Sequence, residues 1–217
     1  MVGDLVQQAV PHTLSKLELP EGVTLYLARH GETEANIAKR FQGHTVDTPL
    51  TKRGCKQAKM LAKILAHHVD DPAKLAYVAS PLHRACLTME LVREHLDLPK
   101  DGFKCDKRLR EIDLGKWDGL THAEARKLDP KLFDAREHDK WNNRVPGGES
   151  YADVAGRATK WAKSLKRDTF AISHGAFTRI LRGLFQGLDA QEMSDLDEPQ
   201  GVVFRIRGHK VKRWEKP

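Results

Sequence analysis

Three apolar stretches of the chain end on side chains that can bind or transfer a phosphoryl group. Val23–Ala28 is followed by the sequence RHG at residues 29–31, and a later apolar stretch runs into SHG at residues 173–175. Between them, Leu75–Ser80 is followed by PLHR, which ends at Arg84. Two arginines and two histidines thus follow segments that look like buried strands.

These residue types suit phosphate chemistry. Arginine stays charged and makes planar, bidentate contacts with phosphate oxygens. A neutral imidazole can attack phosphorus and form a phosphohistidine, and nearby cations favour the neutral ring because they lower its pKa. The pattern predicts a pocket where Arg29 and Arg84 hold a phosphate group, and the residues alone leave open whether His30 or His174 attacks.

Such a pocket requires the three stretches to end at one edge of a sheet. Strand-like segments alternate with amphipathic helical segments, and "GVVFRIRGHKVKRW" predicts a C-terminal hairpin. The alternation predicts an α/β fold, a three-layer α/β/α sandwich whose central sheet is mostly parallel with helices on both faces. Ligands bind at the carboxyl ends of such strands, where helix N-termini are expected to add backbone N–H donors.

One domain over residues 23–217 is predicted, preceded by an N-terminal extension at 1–22 that lacks signal-peptide features. The polar segment from about 120 to 150 interrupts the alternation and is interpreted as a lid, with a short helix starting at Thr121 and Glu124 in a capping box. Its cations are candidates for binding a second anionic group on the substrate: Arg126, Lys127, Lys131, Arg136, Lys140 and Arg144.

Composition narrows the class of protein. The net charge of +7 is spread along the chain without a nucleic-acid motif, and no apolar run reaches the roughly 20 residues of a membrane helix. We therefore expect neither a nucleic-acid partner nor membrane insertion. The three cysteines lack metal-ligand spacing, so Cys55 and Cys86 are predicted to be buried, reduced thiols of a cytoplasmic protein.

A proton donor for the leaving oxygen is also needed. Glu111, in "RLREIDLGKWDGL", is the preferred candidate because it follows a basic run and precedes the polar insertion. Asp113 and Asp118 are rivals on residue type. No carboxylate cluster suited to Mg²⁺ is found, so we expect no metal and no other cofactor.

Together the motifs resemble those of the histidine phosphatase superfamily, also called the phosphoglycerate mutase-like family. They occur in that family's order across about Val23 to Trp214: "RHGETEAN", "GHTVDTPLTKRGCKQA", "SPLHRACLTME", "LREIDLGKWDGL", "PGGESYADVAGR" and "SHGAFTRIL". The resemblance implies that His30 is the nucleophile and that Glu111 protonates the leaving alcohol and then activates water. It also implies a phosphate site formed by Arg29, Asn36, Gln42, Gly43, Arg84, His174 and Gly175.

The family contains both phosphatases and mutases. This chain has Ala176 where glycolytic mutases typically carry Asn, and "REIDLG" where they show N-E-R-x-Y-G; its 217 residues also leave little room for the mutase insertion. We therefore predict a metal-independent phosphomonoesterase that acts on a small phosphorylated metabolite, such as a sugar phosphate or phosphoglycerate, and releases inorganic phosphate. A phosphoglycerate mutase and a non-catalytic phospho-ligand-binding module are the alternatives, and a homodimer is left open.

Overall fold

The computed structural model describes residues 16–217, which form a six-stranded sheet with helices on both faces. The sheet order is β3-β2-β4-β1-β5-β6. The first four strands in this order pair in parallel, while β5 and β6 pair antiparallel as the predicted hairpin. The strands are β1 (Thr24–Arg29), β2 (Ala76–Ala79), β3 (Lys104–Cys105), β4 (Thr169–Ser173), β5 (Val203–Arg207) and β6 (Lys210–Trp214).

Helices connect the parallel strands, because parallel neighbours in a sheet need a crossover connection. They are α1 (Glu34–Ile37), α2 (Lys52–His68), α3 (His83–Glu94), α4 (His122–Leu128), α5 (Pro130–His138), α6 (Tyr151–Lys163), α7 (Gly175–Gln186) and α8 (Ala190–Asp195). Helices α4 and α5 lie in the segment interpreted as a lid, and Thr121 with Glu124 forms the predicted capping box of α4. The predicted three-layer α/β/α architecture is confirmed.

Period-two alternation along β1 builds a hydrophobic core on each face of the sheet. Leu25 and Leu27 pack in the core covered by α6 and α7. Tyr26 and Ala28 point the other way, into the core covered by α2 and α3. The strand is therefore apolar on both faces, which is the pattern expected of a parallel strand buried between helices.

Carboxylates from distant segments bind the N-termini of the two helices that start at the carboxyl edge of the sheet. Asp47 accepts hydrogen bonds from the backbone N–H groups of His83 (2.5 Å) and Arg84 (3.3 Å) in α3. Glu111 accepts from Ala176 and Phe177 in α7, both at 3.2 Å. The prediction that these helix ends offer free donors to a ligand is therefore wrong for these N–H groups.

Gly31, directly after β1, has a packing role. A Cβ at this position would lie 2.5 Å from the carbonyl oxygen of Gly54, in the first turn of α2. A Cβ on Gly54 would in turn lie 2.2 Å from the Glu32 carbonyl oxygen. Two glycines therefore let the loop after β1 cross α2 backbone to backbone.

Two expectations about the chain need adjustment. Cys55 is exposed and Cys86 half-buried, because the buried stripes of α2 and α3 pass through neighbouring residues. Leu17 and Leu19, within the predicted extension, are buried against the domain.

Residues 1–15, with the prediction that they lack a signal peptide, lie outside the described part. Across residues 16–217, no helix has both the length and the apolar character that crossing a bilayer demands.

Replacing Phe170 in the central strand β4 tests the packing of the sheet. Its ring is fully buried and packs edge-on against Tyr77 at a centroid distance of 5.9 Å. Because Phe170→Ala leaves a cavity between the sheet and α2 and α3, we expect a loss of about 3–5 kcal/mol in the free energy of unfolding. Urea denaturation measures it.

Leu128→Ala is the control, since Leu128 is 59% exposed and should change stability by under about 0.5 kcal/mol. Equal losses in the two variants would contradict the core described above.

Candidate active site

A pocket of about 510 Å³ opens at the carboxyl edge of the sheet. This volume lies in the range of small-molecule sites. Five of the predicted residues line it: Arg29, His30, Asn36, Gln42 and Glu111. Counting Arg29 again, six cationic residues line the pocket: Arg29, Lys39, Arg40, Arg136, Lys140 and Arg179.

His30 presents one ring nitrogen to this pocket. Its Nδ1 lies 2.7 Å from the carbonyl oxygen of Gly31, which can only accept, so Nδ1 carries the proton. Nε2 is then the atom with a free lone pair. Burial, and next the charges of Arg29 and Arg84, hold the pKa of His30 well below its ordinary value, so the ring is neutral at pH 7.

His174 lies behind His30, with a distance of 5.1 Å between the ring centroids. Both of its ring nitrogens are buried and make no hydrogen bond within residues 16–217. Burial and Arg84 lower its pKa well below the ordinary value. Neither His174 nor Arg84 lines the pocket itself, and both lie behind its surface. Since buried polar atoms normally have partners, the two unbonded nitrogens of His174 leave hydrogen-bonding capacity next to His30.

Arg84 is fully buried and holds the loop that contains Gly43. Its Nη2 donates to the carbonyl oxygens of Gln42 (3.0 Å) and Gly43 (2.9 Å), while Nη1 donates to Asp47 at 3.2 Å. Its Nε–H is buried without a partner among the described residues. A further Nη1 contact, to the Val46 carbonyl at 3.2 Å, brings the N–H···O contacts by which Arg84 shapes the loop beside the pocket to four, and its charge acts on both histidines.

Other residues predicted to bind phosphate already form hydrogen bonds within the protein. The Asn36 side chain bonds the backbone N–H of Thr33 at 3.1 Å and Gln200 at 3.1 Å, and Gln42 bonds the hydroxyls of Thr33 and Thr48. The Gly43 N–H donates to Asp118 at 2.7 Å and is not free for a ligand in this conformation. A Cβ on Gly175 would collide with Glu198, so this glycine makes room for a carboxylate beside the pocket.

Glu111 is a buried carboxyl group that lines the pocket. Besides the two N–H groups of α7, its Oε1 accepts from the backbone of Ile112 at 2.9 Å. Burial, followed by the neighbouring Glu198, nevertheless raises its pKa, which favours the protonated form. The rivals Asp113 and Asp118 bond loop backbone instead, at Gly115 and at Gly43, and neither lines the pocket.

Arg157, a residue that the sequence reasoning missed, holds the segment that carries Glu111. Its guanidinium donates to the carbonyl oxygens of Arg108, Arg110 and Glu111, each at 2.8 Å. It also forms a two-pronged pair with Glu149 at 2.9 Å. It lies in the quoted motif "PGGESYADVAGR", but only packing of α6 against this segment reveals what it binds.

Of the six cations predicted to face the substrate, the structure brings two to the pocket, Arg136 and Lys140. Arg136 is buried, its Nε–H has no partner in residues 16–217, and no carboxylate in that part lies within salt-bridge distance. Arg126 and Arg144 pair with Asp134 and Asp153 on the surface. The remaining two, Lys127 and Lys131, are exposed and do not line the pocket.

The pocket also contains a cluster that sequence reasoning did not identify. Arg179, one turn into α7, donates to the hydroxyl of Tyr151 at 3.1 Å and pairs with Glu198 at 3.1 Å. Glu198 also lies 3.7 Å from Arg29. Arg179 follows the motif "SHG" by four residues on the same helix, which is a usable signal, whereas nothing around Glu198 marks it.

Sheet order and pocket together define an α/β domain with a cation-lined pocket at the carboxyl edge of its sheet. The model of the histidine phosphatase superfamily (branch 1) matches residues 25–215. The human 6-phosphofructo-2-kinase/fructose-2,6-bisphosphatase 3 is 33% identical over 207 residues, covering 94% of this chain and 37% of that protein. The chain therefore spans well under half the length of this curated relative.

Solved structures show the same similarity. YhfR of Bacillus stearothermophilus superposes with a TM-score of 0.75 at 31% identity, over 88% of this chain and 95% of that one. A mycobacterial glucosyl-3-phosphoglycerate phosphatase superposes with a TM-score of 0.71 at 28% identity, over 89% and 99%. The chain belongs to the histidine phosphatase superfamily.

The coupling between Glu111 and Glu198 can be measured. Because the negative charge of Glu198 raises the pKa of Glu111, Glu198→Gln should lower it. A ¹³C NMR titration of the Glu111 carboxyl carbon gives the direction.

Glu94→Gln is the matched control, since Glu94 pairs with Lys100 away from the pocket and should leave the titration of Glu111 unchanged. An unchanged Glu111 pKa in Glu198→Gln would refute the coupling.

Proposed function

We propose that this chain is a metal-independent phosphomonoesterase that works through a phosphohistidine on His30. The observation that carries the proposal is the concentration of buried, incompletely bonded cationic and imidazole nitrogens around one neutral histidine. Arg29, Arg84 and Arg179 each have a buried Nε–H without a partner in the described residues, and the single ring N–H of the neutral His174 also lacks an acceptor there. A phosphoryl group would supply the missing acceptors.

In the first step, Nε2 of His30 attacks phosphorus and the ester P–O bond breaks. The Gly31 carbonyl supports this choice over His174, since it fixes the tautomer with a free lone pair on Nε2. Protonated Glu111 gives its proton to the leaving alcohol oxygen, a task that its raised pKa favours. Arginine charge around the equatorial oxygens stabilises the transition state.

In the second step, water attacks the phosphohistidine and the P–N bond breaks. The Glu111 carboxylate accepts a proton from that water, which restores its protonated form and releases inorganic phosphate. His30 returns to the neutral state because burial and the two arginines disfavour its cation.

The far side of the pocket favours a substrate with a second anionic group. Arg136 and Lys140 of the lid segment line the pocket together with Arg179 of α7. Lys140 pairs with Glu137 and Arg179 with Glu198, whereas Arg136 lacks an ion-pair partner in the described residues. A sugar bisphosphate would place one phosphate at His30 and the other at these cations. A relative's name includes fructose-2,6-bisphosphatase, so fructose 2,6-bisphosphate is the first compound to test.

A phosphoglycerate mutase remains the second candidate, since the same phosphohistidine serves both reactions. Incubation with 3-phosphoglycerate separates them: 2-phosphoglycerate without phosphate release identifies a mutase. A non-catalytic binding module would turn over no phosphomonoester. The cytoplasmic location and the homodimer stay predictions from the sequence.

His30→Ala should abolish the reaction, with p-nitrophenyl phosphate hydrolysis falling by roughly 10³-fold or more because no acceptor for the phosphoryl group remains. Acid-labile phosphohistidine, trapped by rapid quenching at alkaline pH, should vanish as well. The exposed His67→Ala variant serves as the control. Full activity in His30→Ala would refute the proposed intermediate.

Arg136→Met should raise the KM for fructose 2,6-bisphosphate by roughly tenfold or more, since a buried charge-assisted hydrogen bond contributes about 1.5–3 kcal/mol. The KM for p-nitrophenyl phosphate, which has a single phosphate, should change little. Steady-state kinetics with both substrates measures the difference.

Arg126→Met is the matched variant, because Arg126 lies on the same lid segment but faces Asp134 on the surface. A parallel rise of KM for both substrates in Arg136→Met would contradict a second anion site and leave the phosphatase proposal standing.

A further inference from the structure

Away from the pocket, two of the three cysteines approach each other at the edge of the sheet. The Sγ atoms of Cys86, in the first turn of α3, and Cys105, in the edge strand β3, are 3.7 Å apart. Neither residue lines the pocket. The third cysteine, Cys55, lies on α2.

Both sulfur atoms are held in place by their own backbone contacts. Cys105 is in register with Ala79 of β2, and the next residue, Asp106, donates its N–H to the Ala79 carbonyl at 2.9 Å. The Cys86 thiol lies 3.3 Å from the carbonyl oxygen of Ser80, the residue that follows β2. The end of β2 therefore positions both thiols.

We propose that Cys86 and Cys105 form a reversible disulfide when the protein meets a low-molecular-weight disulfide such as glutathione disulfide. A disulfide has an S–S length of about 2.05 Å, so the sulfurs must approach by roughly 1.7 Å, a distance that rotation about χ1 can cover. The two segments to be joined, the first turn of α3 and the edge strand β3, both lie next to the end of β2.

The accessibility of the two thiols sets the order of events. Cys105 is exposed and Cys86 is half-buried. Burial, and next the neighbouring Cys105, raises the pKa of Cys86 to about 12, so Cys86 stays protonated until its partner has reacted. The thiolate is the reactive form, so the exposed Cys105 is the first thiol to attack.

The reaction balances as two thiol–disulfide exchanges. The Cys105 thiolate attacks one sulfur of glutathione disulfide, the S–S bond breaks, and one glutathione leaves while the other stays bound to Cys105. The Cys86 thiol loses its proton to water and attacks the Cys105 sulfur, expelling the second glutathione. The protein loses two electrons and two protons, and glutathione disulfide gains them.

The experiment uses the full chain in its folded state, exposed to glutathione disulfide, blocked with N-ethylmaleimide and digested with trypsin without reduction. We expect the peptides Ala85–Arg93 and Cys105–Lys107 to be joined, with a mass lower than their sum by two hydrogens. Gly54–Lys56, which contains Cys55, is the internal control and should not join either of them. Dithiothreitol should separate the linked pair.

Two variants test the order of events. In Cys86→Ser, glutathione should persist on Cys105, whereas in the wild-type protein it should decay as the disulfide forms. Cys55→Ser should behave like the wild-type protein. Wild-type protein that keeps glutathione on Cys105 while maleimide labels Cys86, or a link found only in covalent dimers, would overturn the proposal.

A stability measurement checks that the bridge forms in the native geometry, and it needs no variant. Since an unstrained disulfide restricts the unfolded chain, the oxidised protein should unfold at a higher guanidinium concentration than the reduced protein. A lower midpoint on oxidation would show that the bridge distorts the fold, which would also overturn the proposal.

Discussion

The site depends on buried arginine side chains whose hydrogen-bonding capacity the protein leaves partly unused. Arg29, Arg84, Arg136 and Arg179 each bury an Nε–H that has no partner within residues 16–217. A buried N–H without an acceptor is costly even where a carboxylate lies within salt-bridge distance, as at Arg29, Arg84 and Arg179, so the surrounding fold must hold these side chains in place. The helices and loops at the carboxyl edge perform this task, and a bound anion would relieve the cost.

Burial and arginine charge together set the protonation of the titratable groups in the site. Burial, and next the charges of the arginines, lowers the pKa of both histidines and keeps them neutral. Burial and the charge of Glu198 raise the pKa of Glu111, whereas the charges of Arg29 and Arg84 lower it. The net shift is upward because burial has the largest effect. Burial thus favours both a neutral imidazole and a protonated carboxyl group, which are the forms that the proposed attack and proton donation require.

Sequence reasoning was strongest where a signal is local. Apolar runs marked β1, β2 and β4, and the Thr121 capping box marked the start of α4. Arg29 and His30 reach the pocket because they end a strand at the carboxyl edge of the sheet, whereas Glu111 reaches it from the segment after β3 through its hydrogen bonds to the start of α7.

Sequence reasoning was weakest where the packing of distant segments determines which side chains reach the pocket. Glu198 reaches the pocket only because the loop after α8 folds back toward β1, and Arg157 reaches Glu111 only through the packing of α6. Helical periodicity also predicted Cys55 and Cys86 on the buried faces of their helices, whereas neighbouring residues occupy those faces. An error of one residue is enough, because successive side chains are about 100° apart around a helix.

The hydrogen bonds between Glu111 and the first N–H groups of α7 have a consequence for the proposed role of Glu111 as a proton donor. When Glu111 gives up a proton, the new negative charge forms at the positive end of a 12-residue helix. The helix dipole then acts as a built-in counter-ion for the deprotonated state. The side chain can therefore alternate between two charges without a mobile cation, while the backbone that stabilises it stays in place.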